Sequence, residues 1–263
     1  MKPNPNWRGD PTFLKSTLEY WGLEVAELPG WLNRGHGDFG VIQGIIVHHI
    51  GANKYDPHNI AHHPTLGLCS QIHLSRSGKV TLCGVGIAYH AGLGSYPGWP
   101  TNNANWVSIG IEAESDGVTP WPQEQLDAYY KLCAAILWFL GKRATTATLL
   151  AHWEYSNKAQ GKWDPGAGNG RSGAMMEMNG FRAEVNKLID NPPGAEKEVP
   201  VGTTFDTSVA ASDGSLHPLK NLIVYTDGRV YELYELLKHF DPEQLDRVEE
   251  KLDRVLEVLE HGN

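Results

Sequence analysis

Two histidines and one aspartate in this sequence have the types and positions needed to bind a catalytic metal ion. His48 directly follows an apolar, β-branched run at residues 41–47, and His152 follows a second apolar run at residues 149–151. Asp164 belongs to a Lys-Trp-Asp-Pro-Gly stretch that is typical of a rigid turn. A hydrolytic zinc ion needs three ligands of these kinds and a fourth position that stays open for water. The three residues therefore predict one zinc site.

Apolar patterns along the chain predict the elements that must position these residues. Short β-branched or apolar runs indicate strands, and apolar residues at helical spacing that end at a glycine indicate helices. The predicted strands cover residues 41–47, 70–74, 79–83, 106–113 and 149–151, and the predicted helices cover 13–22, 123–140 and 180–190. Residues 28–40 are rich in Pro and Gly and predict a loop. This order predicts an α/β fold with a central mixed β-sheet flanked by helices.

The chain is predicted to have a catalytic domain and a small C-terminal appendage. We expect the catalytic domain at 1–190, with a core of about 30–190, and a linker at 191–203, where Pro, Gly and charged residues are frequent. The small region at 204–263 ends in a predicted helix that begins near Asp241. Its apolar residues recur at heptad spacing: Leu245, Val248, Leu252, Val255 and Leu259. This seam either packs on its own domain or forms a homo-oligomer.

Charge and composition exclude several classes of partner. Of the net charge of −9, the segment from Glu196 onward contributes −8, because it holds 15 acidic and 7 basic residues. The preceding residues are nearly neutral, so the sequence predicts no nucleic-acid partner. No run approaches the ~18 apolar residues of a membrane span, which predicts no membrane insertion. The first residues lack the pattern of a signal peptide, so we expect synthesis in the cytoplasm.

The cysteines are predicted to take no part in the metal site. There are three of them, Cys69, Cys83 and Cys133, and they form no Cys-x-x-Cys pair. An odd number without such spacing argues against a disulfide framework and against an all-thiolate zinc site. They are expected to be apolar fillers of the core.

Five segments, taken in order, resemble the zinc amidases of the amidase-2 type. This family includes phage endolysins, bacterial anhydro-muropeptide amidases and animal peptidoglycan-recognition proteins. The similar segments are Ile46-Val47-His48-His49, Ala88-Tyr89-His90-Ala91-Gly92, Ser108-Ile109-Gly110-Ile111-Glu112, Ala151-His152 and Lys162-Trp163-Asp164-Pro165-Gly166. Between the last two, the stretch from Tyr155 to Gly161 departs from the family pattern and is predicted to be a loop.

The resemblance implies a role for each matching residue. It implies that His48, and not His49, binds Zn²⁺ together with His152 and Asp164. Glu112 would act as the general base, with Glu114 as its rival, because side chains two residues apart on a strand share one face.

Further roles follow from the same resemblance. Lys162 would stabilise the oxyanion of the reaction. His90 and His49 are expected to bind substrate. His58, His62, His63 and His73 have no clear counterpart in the family, so they are expected at the surface or around the site.

The function implied is cleavage of the amide bond between N-acetylmuramic acid and L-alanine in peptidoglycan. The predicted setting is a phage or prophage endolysin, which is made in the host cytoplasm and acts on the cell wall after membrane permeabilisation. Two alternatives stay open at this point. One is a module that binds peptidoglycan without cutting it, and the other is an intracellular amidase that recycles muropeptides.

Overall fold

A computed structural model describes residues 1–194, 208–210 and 216–218. The chain forms two compact units, Met1–Ala195 and Glu196–Asn263. In the first unit the strands are β1 Val25–Glu27, β2 Gly44–His49, β3 Ile72–Leu74, β4 Val80–Leu82, β5 Ser108–Ala113 and β6 Leu149–Ala151. The helices are α1 Leu14–Tyr20, α2 Pro57–Ala61, α3 Gln123–Phe139, α4 His152–Gln160 and α5 Met178–Asp190. Short 3₁₀ turns cover Trp31–Asn33 and Ala104–Trp106.

The six strands form one mixed sheet in the order β1-β4-β3-β5-β2-β6. Strands β3 and β4 form an antiparallel hairpin, and the other neighbouring strands run parallel. Helices α1, α3 and α5 supply the apolar side chains that cover one face of this sheet. The predicted mixed sheet with flanking helices is confirmed.

Strand β2 lies between β5 and β6 in the sheet, and both of its faces are buried. Ile45 and Val47 pack into the large core beneath the helices, whereas Ile46 belongs to a smaller apolar cluster with Leu150 and Tyr155 on the opposite face. A strand covered on both faces needs a continuous apolar run and not an alternating one. The uninterrupted β-branched sequence before His48 satisfies this requirement.

The N-terminal residues are an integral part of the first unit. Strand β1 lies between the predicted helix at 13–22 and the predicted loop at 28–40, and it extends the sheet by pairing with β4. Its sequence, Val-Ala-Glu, contains one β-branched residue and a charged one, so it lacks the apolar run that predicts a strand. The rings of Trp7, Phe13 and Phe139 pack together, with centroids of Phe13 and Phe139 4.0 Å apart, and attach the N-terminal segment to α3.

The predicted loop from Tyr155 to Gly161 is wrong for most of its length, because α4 covers His152–Gln160. Tyr155 and Ser156 are buried on one side of this helix, and Gly161 ends it in the left-handed conformation, with φ of 67°. The segment that departs from the family pattern therefore forms most of a regular α-helix. Helix α2 was also not predicted; Asp56 caps its first turn by accepting a hydrogen bond from the backbone of His58.

Little of the second unit is described. Strands β7 Ser208–Ala210 and β8 Leu216–Pro218 form an antiparallel pair. The predicted heptad helix and most of the predicted linker lie outside the described residues. Within the described part of the chain, no helix has the length and apolar character needed to cross a membrane.

Candidate active site

The register of the central strands brings the predicted site residues to one edge of the sheet. His48 on β2 is the partner of Glu112 on β5, and Val47 is the partner of Ala151, the last residue of β6. His152 follows immediately as the first residue of α4. Because β2, β5 and β6 run parallel, their carboxyl ends meet at this edge, where open α/β sheets commonly bind ligands.

His48, His152 and Asp164 form a compact group that could hold a metal ion. Asp164 Oδ2 lies 3.2 Å from His48 Nδ1 and 2.9 Å from His152 Nδ1. All three side chains are buried, and their ligand atoms lie within 4.8 Å of one another. Within the described residues this is the one group of three or more His, Cys, Asp or Glu side chains with such spacing.

Hydrogen bonds on the far side of each imidazole leave Nδ1, which faces Asp164, without a proton and able to bind a metal. His152 Nε2 lies 3.1 Å from the carbonyl oxygen of Ala91, which can only accept, so the proton is on Nε2. His48 Nε2 lies 3.0 Å from His90 Nδ1, and His90 Nε2 lies 3.2 Å from the carbonyl oxygen of Ser108. This chain of donors ends on a carbonyl and places a proton on each Nε2. Such outer contacts orient metal-binding histidines.

The protonation states of these groups also suit a metal. Burial, and then the neighbouring His152, lower the pKa of His48 to about 4, so this ring is neutral at neutral pH. Burial alone would raise the pKa of Asp164, but its close contacts with the imidazoles of His152 and His48 outweigh that effect and hold the pKa well below its usual range. A neutral imidazole and an ionised carboxylate are the forms that bind metal ions.

Tyr129 of α3 fixes the backbone of His48. Its buried hydroxyl accepts a hydrogen bond from the His48 amide at 3.0 Å and donates one to the His48 carbonyl at 2.9 Å. β2 stays paired with β5 at this residue, since His48 is the partner of Glu112 and His49 is the partner of Ala113. The hydroxyl therefore adds a contact from α3 to backbone groups that the sheet already pairs, at the end of the strand that carries a metal-site residue.

Two sets of contacts hold the other ligands. The backbone amide of Trp153 donates to the Asp164 carbonyl at 2.9 Å, which ties the turn to the start of α4. The carboxylate of Glu154 accepts from the amide of Ala151 at 2.9 Å and forms a buried, two-pronged ion pair with Arg182 of α5, with both N–O distances 3.0 Å. The junction between β6 and α4, which carries His152, is thus held by side chains from α4 and α5.

Glu112 lies beside the ligand group with one oxygen unused. Its Oε1 is 3.9 Å from His48 Nδ1, and its buried Oε2 has no hydrogen-bond partner among the described residues. Burial, followed by the negative charge of Asp164, raises the pKa of Glu112 to about 8, and Lys162 opposes this rise. A divalent cation between these groups would stabilise the ionised form of Glu112. The unpartnered oxygen and the free Nδ1 atoms therefore fit a metal at this position.

Glu114, the rival base, is occupied elsewhere. Its Oε1 accepts a hydrogen bond from the amide of Tyr55 at 2.8 Å, and its Oε2 accepts one from the amide of Arg76 at 3.0 Å. These bonds attach two loops to the sheet and engage both carboxylate oxygens of Glu114, so neither oxygen is available at the metal site. The geometry favours Glu112 as the group that handles protons.

A cavity of about 250 Å³ opens beside the ligand group. Lys162, which is exposed, lines it, as do His49 and His90. His49 Nδ1 accepts from the amide of Gly166 at 2.9 Å, so this ring also supports the turn that carries Asp164. Its expected role in substrate binding stays a prediction.

His90 lines the cavity, as expected, but its ring makes its hydrogen bonds within the protein. The ring is buried, and both of its nitrogens are engaged, one by His48 and one by the carbonyl of Ser108. No ring nitrogen is left for the predicted hydrogen bond to substrate. The ring packs on Gly110, where an added Cβ would lie 2.6 Å from His90 Cγ. We therefore identify His90 as a residue that positions His48.

The remaining histidines and the cysteines lie outside the ligand group. His73 is buried, with Nε2 3.4 Å from Glu114, and His63 and Cys69 line the cavity. His58 and His62 are exposed and do not line it. All three cysteines are free thiols, and none is a member of the metal-binding group.

Comparison with known proteins assigns the family. Residues 38–167 match the model of the amidase-2 family, described as N-acetylmuramoyl-L-alanine amidase. This range contains all seven residues predicted for the site. The chain therefore carries an N-acetylmuramoyl-L-alanine amidase domain of the amidase-2 family at residues 38–167.

Solved structures with a similar chain include three bacterial or phage proteins. The Staphylococcus aureus hydrolase AmiA, solved with its ligand, is 13% identical, with a TM-score of 0.45 over 72% of this chain and 94% of that one. The Ph2119 endolysin from a Thermus scotoductus bacteriophage is 14% identical, with a TM-score of 0.42 over 62% and 99%. The Escherichia coli amidase AmiD, solved with a muropeptide substrate, is 18% identical, with a TM-score of 0.42 over 56% and 58%. A comparison with curated proteins finds no match.

Proposed function

We propose that this chain is a zinc-dependent hydrolase that cleaves the amide bond between N-acetylmuramic acid and L-alanine of peptidoglycan. The observation that carries the proposal is the group formed by His48, His152 and Asp164 with Glu112 beside it, inside the range that matches the amidase family. Two imidazole nitrogens and one carboxylate oxygen are a common donor set for catalytic zinc.

In this proposal the residues of the chain divide the chemical work. Zinc, when bound, acts as a Lewis acid and lowers the pKa of a water molecule. Glu112 accepts a proton from the attacking water and passes it to the nitrogen of the leaving alanine. The Lys162 ammonium group, which lines the same cavity, stabilises the negative charge that develops on the carbonyl oxygen. The net reaction consumes one water and yields a lactyl carboxylate and a free amine.

The binding and orienting roles fall to the outer residues. His90 and the carbonyl of Ala91 fix the orientation of the two imidazoles, and Tyr129 fixes the backbone of His48. A site supported in this way would hold the two imidazoles and the carboxylate in place around the metal while substrate enters the cavity. The buried ligands and the open cavity together favour a catalytic site over a closed structural zinc site.

The proposal is tested on purified peptidoglycan. We expect the zinc-loaded chain to release new L-alanine amino termini, chelation to stop the release, and added zinc to restore it. Glu112→Gln is the matched variant, because it keeps the size of the side chain and loses the base. If the folded, zinc-loaded chain binds peptidoglycan but releases no termini, the alternative of a non-cleaving recognition module replaces the hydrolase.

We further propose a phage or prophage endolysin as the biological setting, with the chain held in the host cytoplasm until the membrane is permeabilised. Support comes from the additional C-terminal unit, which an amidase that only recycles muropeptides does not need. Expression in a bacterial host should leave growth unchanged until a pore-forming agent is added, and lysis should then follow only for the wild type and not for Glu112→Gln. Growth arrest without permeabilisation, or no lysis after it, would contradict this setting.

Self-association through the heptad segment at Leu245, Val248, Leu252, Val255 and Leu259 is also a proposal. Several catalytic domains on one oligomer would gain avidity for a polymeric wall. Light scattering on the full chain measures the mass directly, and a monomer at micromolar concentration would refute it.

A further inference from the structure

Two histidine rings lie side by side at helix α2 and its C-terminal cap. His58 is in the helix, His62 is the first residue after it, and the amide of His62 donates to the carbonyl of His58 at 2.9 Å. The backbone of His62 is not helical, with φ of −133° and ψ of 45°, so the case for a shared ligand rests on the positions of the rings themselves. Two histidines four residues apart are a known way to bind zinc.

The distance between the two rings matches that of the catalytic pair. The ring centroids of His58 and His62 are 4.5 Å apart, and those of His48 and His152 are 4.4 Å apart. Two imidazoles on one zinc ion, with bonds of about 2.1 Å, hold their centroids roughly 5 Å apart. Without any rearrangement of the backbone, the two exposed rings are therefore close to the separation that a shared metal requires.

The ring nitrogens of this pair are available. Neither His58 nor His62 forms a side-chain hydrogen bond among the described residues, and both are exposed to solvent. Asp56 caps the helix by accepting from the backbone amide of His58, so α2 is fixed at its N-terminus without using an imidazole. The pair also lies outside the catalytic cavity, whose lining from α2 is Asn59 and Ile60.

We propose that His58 and His62 form a second, peripheral site for a divalent transition metal such as zinc. Water completes the coordination, because no third His, Cys, Asp or Glu joins the pair within the described residues. The guanidinium of Arg34 is the cation near His62, and its repulsion weakens binding. The site is therefore weaker than the catalytic one and fills when zinc exceeds one equivalent. Since Asn59 of the same helix lines the catalytic cavity, metal at this pair braces a wall of that cavity.

The test is a calorimetric titration of Zn²⁺ into the full-length chain that already holds one zinc ion and carries no purification tag. We expect one additional, weaker equivalent for the wild type. His58→Gln and His62→Gln should each lower the affinity for that equivalent at least tenfold. His63→Gln is the matched control, because it removes a neighbouring histidine outside the pair and should keep the second equivalent.

A second readout separates metal binding from a folding defect. Excess zinc should raise the thermal midpoint of the wild type and of His63→Gln, and should leave the midpoints of the two pair variants unchanged. The proposal is wrong if the wild type binds only one zinc ion, or if the second equivalent survives in both pair variants. Because both residues are exposed, the variants should match the wild type in circular dichroism and in midpoint at one equivalent.

Discussion

Replacing Tyr129 with Phe removes one oxygen atom and tests whether the metal site depends on a support from α3. The hydroxyl is the partner of both the amide and the carbonyl of His48, at 3.0 and 2.9 Å, in a fully buried position. Because the backbone of His48 stays paired with β5, the variant loses only the hydrogen bonds of the hydroxyl, each worth about 0.5–1.5 kcal/mol. We therefore expect Tyr129→Phe to lower the free energy of unfolding by about 1–3 kcal/mol.

The assay is urea unfolding of the metal-free chain, followed by a zinc titration in competition with a chelator. A loss of this size lowers the thermal midpoint by roughly 2–12 °C for a unit of this length. Zinc affinity should also fall, because the contact from α3 to the backbone of His48 is lost. Tyr130→Phe is the control: Tyr130 packs on Phe181 and its hydroxyl forms no hydrogen bond among the described residues. If the two variants unfold alike, the support does not exist.

Four other predictions concern the site. His90→Ala should weaken zinc binding by about 10–100-fold in the chelator competition, since His48 loses its orienting partner; unchanged affinity would contradict this role. Lys162→Met should lower kcat by roughly 100-fold with zinc affinity unchanged, and a change confined to KM would assign Lys162 to substrate binding. A carboxyl with a pKa of about 8 is about nine-tenths protonated at pH 7. Zinc binding should therefore release close to one proton more from the wild type than from Glu112→Gln, in calorimetry across buffers of different ionisation enthalpy; equal release refutes the raised pKa. Between pH 4.5 and about 8 the native metal-free chain holds a proton on Glu112 that the unfolded chain has lost, so its stability should fall as pH rises through this window. Glu112→Gln should flatten that slope in denaturant melts at several pH values, and an identical slope in both proteins would count against it.

The sequence predicts strands β2 to β6 because each contains a run of apolar or β-branched residues. Strand β2 is the clearest case, since burial on both faces demands an unbroken β-branched run. The predicted metal residues follow from the same reasoning, because His48 and His152 come directly after strands whose ends meet at one edge. Resemblance then selects His48 over its neighbour His49, which the structure places against the Asp164 turn.

The supports of the site could not be predicted in the same way. Tyr129 lies on the apolar face of α3 and its sequence pattern is that of a core residue; the bond to His48 exists only because α3 crosses β2 at this point. The role of His90 depends on the register that places Gly110 beneath its ring, which a motif does not reveal. Strand β1 and helix α2 are too short for a periodic signal. In each case the deciding contact joins residues far apart in the chain.

The most direct test of the central claim is to run the reaction in water enriched in ¹⁸O and locate the label in the products. Hydrolysis of the bond between N-acetylmuramic acid and L-alanine should place one ¹⁸O atom in the lactyl carboxylate of the sugar and leave the new alanine amino terminus unlabelled. The label should appear only with zinc present and with Glu112 intact. Label at a sugar anomeric carbon or in a carboxylate of the stem peptide would mean that another bond is cut and would contradict the assignment.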